Sequence, residues 1–201
     1  RKKSLSLENQ HKLMTVKVES EVLRETQLVV CLLFQYAGMS FVDFAHLKER
    51  NIKNGILDYN RQKTGTPMRL EILDTAELMR KELMGDKRPA SGYLFPFLSG
   101  TKTGYEAYLE YNAALSRFNR NLKALKKAAG IASDVTSYTI RHSFAMALKE
   151  QNVPIEMISE LLGHKSIKTT QIYLRSFSLD KMTVVNKSCF ENVYNYMPEV
   201  G

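Results

Sequence analysis

Residues 137–177 read SYTIRHSFAMALKEQNVPIEMISELLGHKSIKTTQIYLRSF, and this stretch carries the start and stop signals of three helices. Ser137 precedes the first helix. Pro154 suits the first turn of a second, short helix, and Gly163 ends it. A third helix begins near Ser166. This part of the chain is therefore predicted to be helical.

A different periodicity precedes it. Residues 51–72, NIKNGILDYNRQKTGTPMRLEI, alternate apolar and polar side chains, as strands with one buried face do. Asn54-Gly55 is a strong hairpin signal, residues 63–66 supply a second turn, and Pro67 opens a further strand. The pattern predicts a small three-stranded antiparallel sheet.

The remaining segments predict helices before and after this sheet in the sequence. Ser6 precedes an acidic turn and predicts a capped helix, and the apolar residues 22–36 predict a longer one. Ser40 with Asp43 three residues later predicts another helix start. Residues 106–129 predict a long helix. The fold class expected is mainly α with a small three-stranded antiparallel β-sheet.

Size and charge limit the range of functions. A chain of 201 residues fits one domain, and its net charge of +8 with a pI near 9.4 favours a polyanionic partner. No apolar run reaches the roughly 20 residues that span a bilayer, and no secretory leader is visible, so a cytoplasmic location without membrane attachment is expected. The separated Cys31 and Cys189 and the scattered histidines indicate neither a disulfide framework nor a metal site.

Two motifs then resemble a known family. LLGHKSIKTTQIYL places His164 nine residues before Tyr173, and YTIRHSFA places Arg141 upstream. Both are similar to the motifs of tyrosine recombinases, the phage integrase family, in which the tyrosine is the nucleophile. With Lys63 in YNRQKTGTP at the position of the family's hairpin lysine, the resemblance covers about residues 7–177.

The residue types suit the chemistry that the resemblance implies. Attack on a phosphodiester adds negative charge to the phosphoryl oxygens, which the planar guanidinium of Arg141 stabilises. His164 donates to the same phosphate or moves a proton. Lys63 protonates the leaving 5′ oxygen. Taken singly, Tyr173 is more often a packing residue, and the other three are more often ordinary surface groups; their joint spacing favours the catalytic interpretation.

Two positions depart from the family pattern. Ser40 stands where the family has its first catalytic arginine, although the acid three residues later is present as Asp43. Some integrases of mobile elements resemble this variant. Arg61 is a candidate substitute because, on a strand, it would share a face with Lys63; Arg24 is a weaker candidate. Tyr138 occupies the histidine position of His-x-x-Arg, where a phenol still donates a hydrogen bond.

The resemblance implies a site-specific DNA recombinase or integrase that cleaves and rejoins strands through a 3′-phosphotyrosine, without cofactor, metal or ATP. We expect a catalytic domain over residues 7–176 after a linker at 1–6, and a tail over residues 177–201, without regular pattern, that is either exchanged between subunits or folded back on its own core. We also expect the family's N-terminal core-binding domain to lie outside this sequence. Expected partners are double-stranded DNA, in a tetramer on two duplexes, and accessory DNA-bending proteins.

Three other functions remain open at this point. A type IB topoisomerase uses the same nucleophile but relaxes supercoils. A non-catalytic DNA-binding module could have arisen from a recombinase through the changes at Ser40 and Tyr138. A helical RNA-binding or scaffold protein needs none of these spacings and is the weakest alternative.

Overall fold

The computed structural model describes residues 4–87, 89, 92–174 and 179–194. The first part of the chain has three helices, then three strands, then a further helix. They are α1 (Leu7–Thr15), α2 (Glu21–Gln35), α3 (Phe41–Ala45), a 3-10 turn (Glu49–Asn51), β1 (Ile52–Lys53), β2 (Ile56–Asn60), β3 (Pro67–Glu71) and α4 (Asp74–Met84). Helices follow: α5 (Gly104–Ala128), α6 (Ser137–Glu150), α7 (Ile155–Leu161), α8 (Ile167–Tyr173) and α9 (Leu179–Tyr194). The mainly helical fold class is confirmed.

Helix α2 forms the centre of the core. All residues from Leu28 to Leu33 are buried, because α4, α5 and α6 pack around the helix. An apolar stripe on one face would suit a surface helix, whereas this all-round apolar run requires a helix surrounded by others. Helix α1 docks at one end of α2. Leu5, just before α1, is buried, and its amide donates to Ser143 Oγ at 2.9 Å.

The predicted sheet is confirmed as three antiparallel strands in the order β1-β2-β3. Asn54 and Gly55 have φ values of 53° and 74°, the left-handed pair that a tight two-residue hairpin needs. In β2, Leu57 and Tyr59 are buried and alternate with more exposed residues. Tyr59 lies opposite Met68 of β3. The buried face of the sheet therefore points to the helices, and the β2–β3 turn is held beside them.

Helices α6, α7 and α8 form where the sequence predicts three helices, and in the structure they pack on one another. Two of their starts differ from the prediction: Pro154 is the N-cap of α7 and not a residue of its first turn, and Ser137 does not cap α6. The N-cap is Thr136, and Ser137 is the first helical residue. Thr136 forms a reciprocal capping pair with Thr139, whereas the Ser137 amide donates to Asn119 of α5 at 2.9 Å. Gly163 ends α7 at φ 60°, as expected.

The end of the chain is more regular than the sequence analysis suggests, because the segment predicted as a patternless tail contains α9. Residues 179–194 contain no glycine or proline, so nothing interrupts a helix. Its exposed apolar side chains are Met182, Val184, Val185 and Val193. Residues 175–178 and 195–201 of that predicted tail lie outside the described residues.

Candidate active site

Arg141 lies in the second turn of α6 and is only 5% exposed. Its Nη1 donates to the Gly38 carbonyl at 2.8 Å, and its Nη2 donates to the Leu162 carbonyl. These carbonyls follow the ends of α2 and α7, where helices leave carbonyl groups without an intrahelical donor. The partial negative charge of the two helix ends therefore holds the guanidinium in a fixed plane.

His164 lies directly after α7, beside Arg141. Its Nε2 is 3.3 Å from Arg141 Nη2, and its Nδ1 is 2.8 Å from Thr170 Oγ1. Burial, followed by the charges of Arg141 and Arg61, lowers the pKa of His164 from 6.5 to about 4. The imidazole is therefore neutral near pH 7, and it suits a proton acceptor better than a cationic donor to phosphate.

Arg61 provides a second buried guanidinium next to this histidine. Its Nη1 donates to the Gly163 carbonyl at 3.1 Å, and its Nε lies 3.4 Å from Asp43 Oδ2. Arg61 is 8% exposed and Asp43 is 2% exposed, so this is a buried ion pair. Arg61 thereby connects the sheet to the turn between α7 and α8.

Asp43 holds this arrangement from the start of α3. Its Oδ2 accepts from Ser40 Oγ at 2.5 Å, and its Oδ1 accepts from the Gln62 amide at 2.7 Å. The Ser40 hydroxyl in turn caps α3 by accepting from the Asp43 amide. Ser40 is thus the N-cap of α3, as predicted, and its hydroxyl faces the carboxylate that binds Arg61.

The prediction that Arg61 and Lys63 lie on the same face of a strand is wrong. Strand β2 ends at Asn60, and a turn follows in which the Gly65 amide donates to the Arg61 carbonyl at 2.8 Å. The alternation of a strand does not apply in this turn. Arg61 points into the protein, whereas Lys63 is exposed at the tip.

The other predicted residues lie around this centre. Tyr138 is one turn before Arg141 on the same face of α6 and is 36% exposed. Tyr173 is the last residue of α8; its side chain lies outside the described part of the structure. Arg24 lies near the N-terminal end of α2, about 16 Å along the helix axis from Gln35 at its other end. There it forms an ion pair with Glu82.

Sequence reasoning missed Thr170 and the carbonyls of Gly38 and Leu162. The glycines that end helices were visible as signals, but nothing in the sequence shows that an arginine binds the carbonyls beside them. Thr170 follows His164 by six residues and is fully buried. Threonines near the start of a helix are too common for the sequence alone to identify Thr170 as a partner of His164.

Within the described residues, no group of three or more histidine, cysteine or acidic side chains is placed to hold a metal ion. No helix in the same part of the chain is long and apolar enough to cross a membrane.

Proteins of known structure share this fold. Solved structures with the same fold include the XerA recombinase, with a TM-score of 0.67 and 19% identity over 92% of this chain and 63% of that one. The Tn1549 transposon integrase in complex with circular intermediate DNA has a TM-score of 0.70 and 14% identity over 94% of this chain and 66% of that one.

Curated relatives include XerA of Pyrococcus furiosus, 32% identical over 86% of this chain, and XerD of Lacticaseibacillus casei, 44% identical over 34% of it. The chain spans 57% of the length of that XerA, and its match to XerD covers 24% of the latter. Residues 3–179 match the model of the phage integrase family. Because this family model covers most of the chain, the chain belongs to the phage integrase family, the tyrosine recombinases.

Proposed function

We propose that this chain is the catalytic domain of a site-specific DNA recombinase or integrase that uses Tyr173 as its nucleophile. The observation that carries the proposal is the contact between Arg141 and His164 at 3.3 Å, with Arg61 beside them and α8 packed against both α6 and α7. Two fixed cations next to the helix that ends in a tyrosine suit a reaction that builds negative charge on a phosphate.

The reaction proceeds in two balanced steps. The oxygen of Tyr173 bonds to phosphorus, its proton passes to the neutral His164, and the bond from phosphorus to the 5′ oxygen breaks. Lys63 protonates that oxygen and leaves a free 5′ hydroxyl. In the second step, the 5′ hydroxyl of a partner strand gives its proton to the now neutral amine of Lys63 and bonds to phosphorus, and the bond from phosphorus to the Tyr173 oxygen breaks as His164 returns the proton to that oxygen. Because the phosphotyrosine conserves the energy of the phosphodiester, neither ATP nor a metal ion is needed.

Arg61 takes the place of the family's first arginine in this proposal, as in the mobile-element integrases that lack it. Burial lowers the pKa of His164 most, followed by the charge of Arg141 and then that of Arg61, and the contribution of Arg61 supports a position beside the same reacting phosphate. Its ion pair with Asp43 fixes the guanidinium before DNA binds. Tyr138, exposed on the face of α6 that carries Arg141, donates to a phosphate oxygen.

The proposed partners follow from the charge and from α9. A net charge of +8 favours double-stranded DNA through phosphate neutralisation. Residues 7–176 form the catalytic domain of a cytoplasmic protein that also contains an N-terminal core-binding domain. The segment 177–201 packs on a neighbouring subunit in a tetramer on two duplexes, with accessory DNA-bending proteins assisting.

A nicked suicide substrate tests the nucleophile. Wild-type protein should form a covalent adduct visible on a denaturing gel, and Tyr173→Phe should abolish it without weakening DNA binding. Tyr108→Phe is the matched control, since Tyr108 is 59% exposed on α5, outside the site. An adduct of normal yield with Tyr173→Phe would assign the nucleophile to another tyrosine.

The same assay separates the alternatives. DNA binding without an adduct in the wild-type protein would indicate a non-catalytic binding module. An adduct that leads to relaxation of supercoiled DNA, with no exchange between two marked duplexes, would indicate a topoisomerase.

A further inference from the structure

Thr170 binds the histidine of the site from the helix that carries the tyrosine. Its side chain is fully buried on α8, and its Oγ1 lies 2.8 Å from His164 Nδ1. The opposite edge of the imidazole, Nε2, faces Arg141 Nη2 at 3.3 Å. One ring is therefore held at both nitrogens, by groups from two different helices.

These contacts assign the position of the ring proton. A guanidinium has only donors, so His164 Nε2 must accept from Arg141. A neutral imidazole has a single N–H, which is then on Nδ1 and donates to Thr170 Oγ1. The depressed pKa of His164 agrees with a neutral ring between Arg141 and Arg61.

We infer that Thr170 is a positioning residue, which fixes His164 as the Nδ1–H tautomer and links that state to the placement of the tyrosine-bearing helix. Thr170 precedes Tyr173 by three residues, and the Leu174 amide donates to the Thr170 carbonyl at 3.2 Å, so Thr170 belongs to the last turn of α8. The inference rests on the proposed function: the tautomer keeps the lone pair on Nε2, and this lone pair accepts the tyrosine's proton once the N–H of Arg141 that occupies it turns to the phosphate.

Substitutions at position 170 separate this role from simple packing. Thr170→Val keeps the size and shape but removes the acceptor, whereas Thr170→Ser keeps the hydroxyl and loses a methyl group. Thr169→Val makes the same chemical change one residue away, on an exposed side chain of the same helix. A packing role predicts that the serine variant is the more damaged, and the positioning role predicts the opposite.

The tautomer is measured without DNA. In the ¹⁵N-labelled full chain at pH 7, the two ring nitrogens of His164 have chemical shifts that distinguish a protonated from an unprotonated nitrogen, and His164→Gln assigns the signals. Wild type, Thr170→Ser and Thr169→Val should show a protonated Nδ1, and Thr170→Val should move towards Nε2–H. A protonated Nε2 in the wild type, or an unchanged ring in Thr170→Val, would overturn the inference.

Single-turnover cleavage of the nicked substrate then tests the consequence. Thr170→Val should cut about 10- to 100-fold more slowly, a loss comparable to that of removing the partners that orient metal-bound histidines, with DNA affinity unchanged. Thr170→Ser should stay close to wild type. Normal cleavage by Thr170→Val with an altered tautomer would refute the positioning role. If wild-type protein forms no adduct, the proposed function fails, while the NMR result still decides the tautomer.

Discussion

Arg61 is both a proposed catalytic cation and a partner of a buried acid, and the two roles respond differently to substitution. Its removal leaves Asp43 buried without a counter-charge, which commonly costs about 3 to 5 kcal/mol. Arginine also offers a planar fork that lysine lacks. Loss of activity in an alanine variant therefore needs a second variant to interpret it.

We predict that Arg61→Ala reduces cleavage of the nicked substrate by about 10² to 10³ in the fraction that folds, the usual cost of a charged transition-state donor. Arg61→Lys should fold better yet remain impaired, because it retains charge without the fork. Arg69→Lys, on an exposed residue of β3, is the control and should be neutral. Wild-type cleavage by folded Arg61→Ala would place the missing cation elsewhere.

Ser40→Ala tests whether the Ser40 hydroxyl only caps α3 or also takes part in cleavage. It should lower the free energy of unfolding by about 1 kcal/mol, as loss of an N-cap does, and leave cleavage nearly unchanged. Ser6→Ala removes the cap of α1, away from the site, and should cost no more than Ser40→Ala, because Ser40 also donates to Asp43. Large loss of cleavage in folded Ser40→Ala would show that this hydroxyl contacts the phosphate.

His164 predicts a pH dependence of stability. Its pKa is about 4 in the folded protein against 6.5 ordinarily, so between these values the unfolded chain binds more protons. The free energy of unfolding therefore falls as the pH is lowered from about 6.5 towards 4, and the contribution of His164 is constant above that window.

Denaturant titrations across this window should show a smaller fall for His164→Gln than for wild type, because glutamine does not titrate. Parallel slopes for wild type and His164→Gln would contradict a depressed pKa at His164.

At the scale of elements, the turn between α7 and α8 has no space for a side chain. A Cβ at Gly163 would lie 2.4 Å from Met68 Sδ and 2.7 Å from Arg61 Cδ, at a φ of +60°. At Gly130 the φ is +67°, but nothing lies within 4 Å of the same atom. The two glycines share the backbone requirement and differ in packing.

Gly163→Ala should therefore destabilise more than Gly130→Ala. We expect about 1 to 2 kcal/mol from left-handed backbone strain in both, and roughly 1 to 3 kcal/mol more from overpacking at position 163. Gly163→Ala should also impair cleavage by displacing Arg61. Equal melting temperatures for the two variants would show that Met68 and Arg61 move aside freely.

The elements were largely predictable because their signals are local. Asn54-Gly55 fixed the hairpin, and Gly163 and Ser166 marked the ends of helices. The contacts of the site were not predictable, since the bond from Arg141 to the Gly38 carbonyl joins residues 103 apart. Lys63 was placed correctly in a turn, but the pairing of its face with that of Arg61 failed because the strand stops one residue before Arg61.

At the scale of the molecule, α9 presents apolar surface that its described side chains do not bury. Val184, Val185 and Val193 are each more than 60% exposed, and Met182 is half exposed. Isolated apolar residues are common on protein surfaces, but several on one helix support the proposal that this segment packs on a neighbouring subunit.

Deletion after Ser178 in the full-length protein should therefore preserve folding and DNA binding and abolish cooperative assembly and recombination. Assembly is measured by gel shift on two marked duplexes, and folding by the melting temperature of the monomer. A large fall in that temperature would show that the segment packs on its own core.

The residues of the proposed site come from two parts of the chain, before and after the connection between α4 and α5. Asp43 and Arg61 precede the connection between α4 and α5, whereas Arg141, His164 and Tyr173 follow it, and the packing of α2 on α5 and α6 holds the two halves together. A polypeptide divided within that connection would carry an incomplete set of reacting groups in each fragment. Strand cleavage would then report fragment complementation, which makes the fold a natural scaffold for a split enzyme whose activity depends on bringing two molecules together.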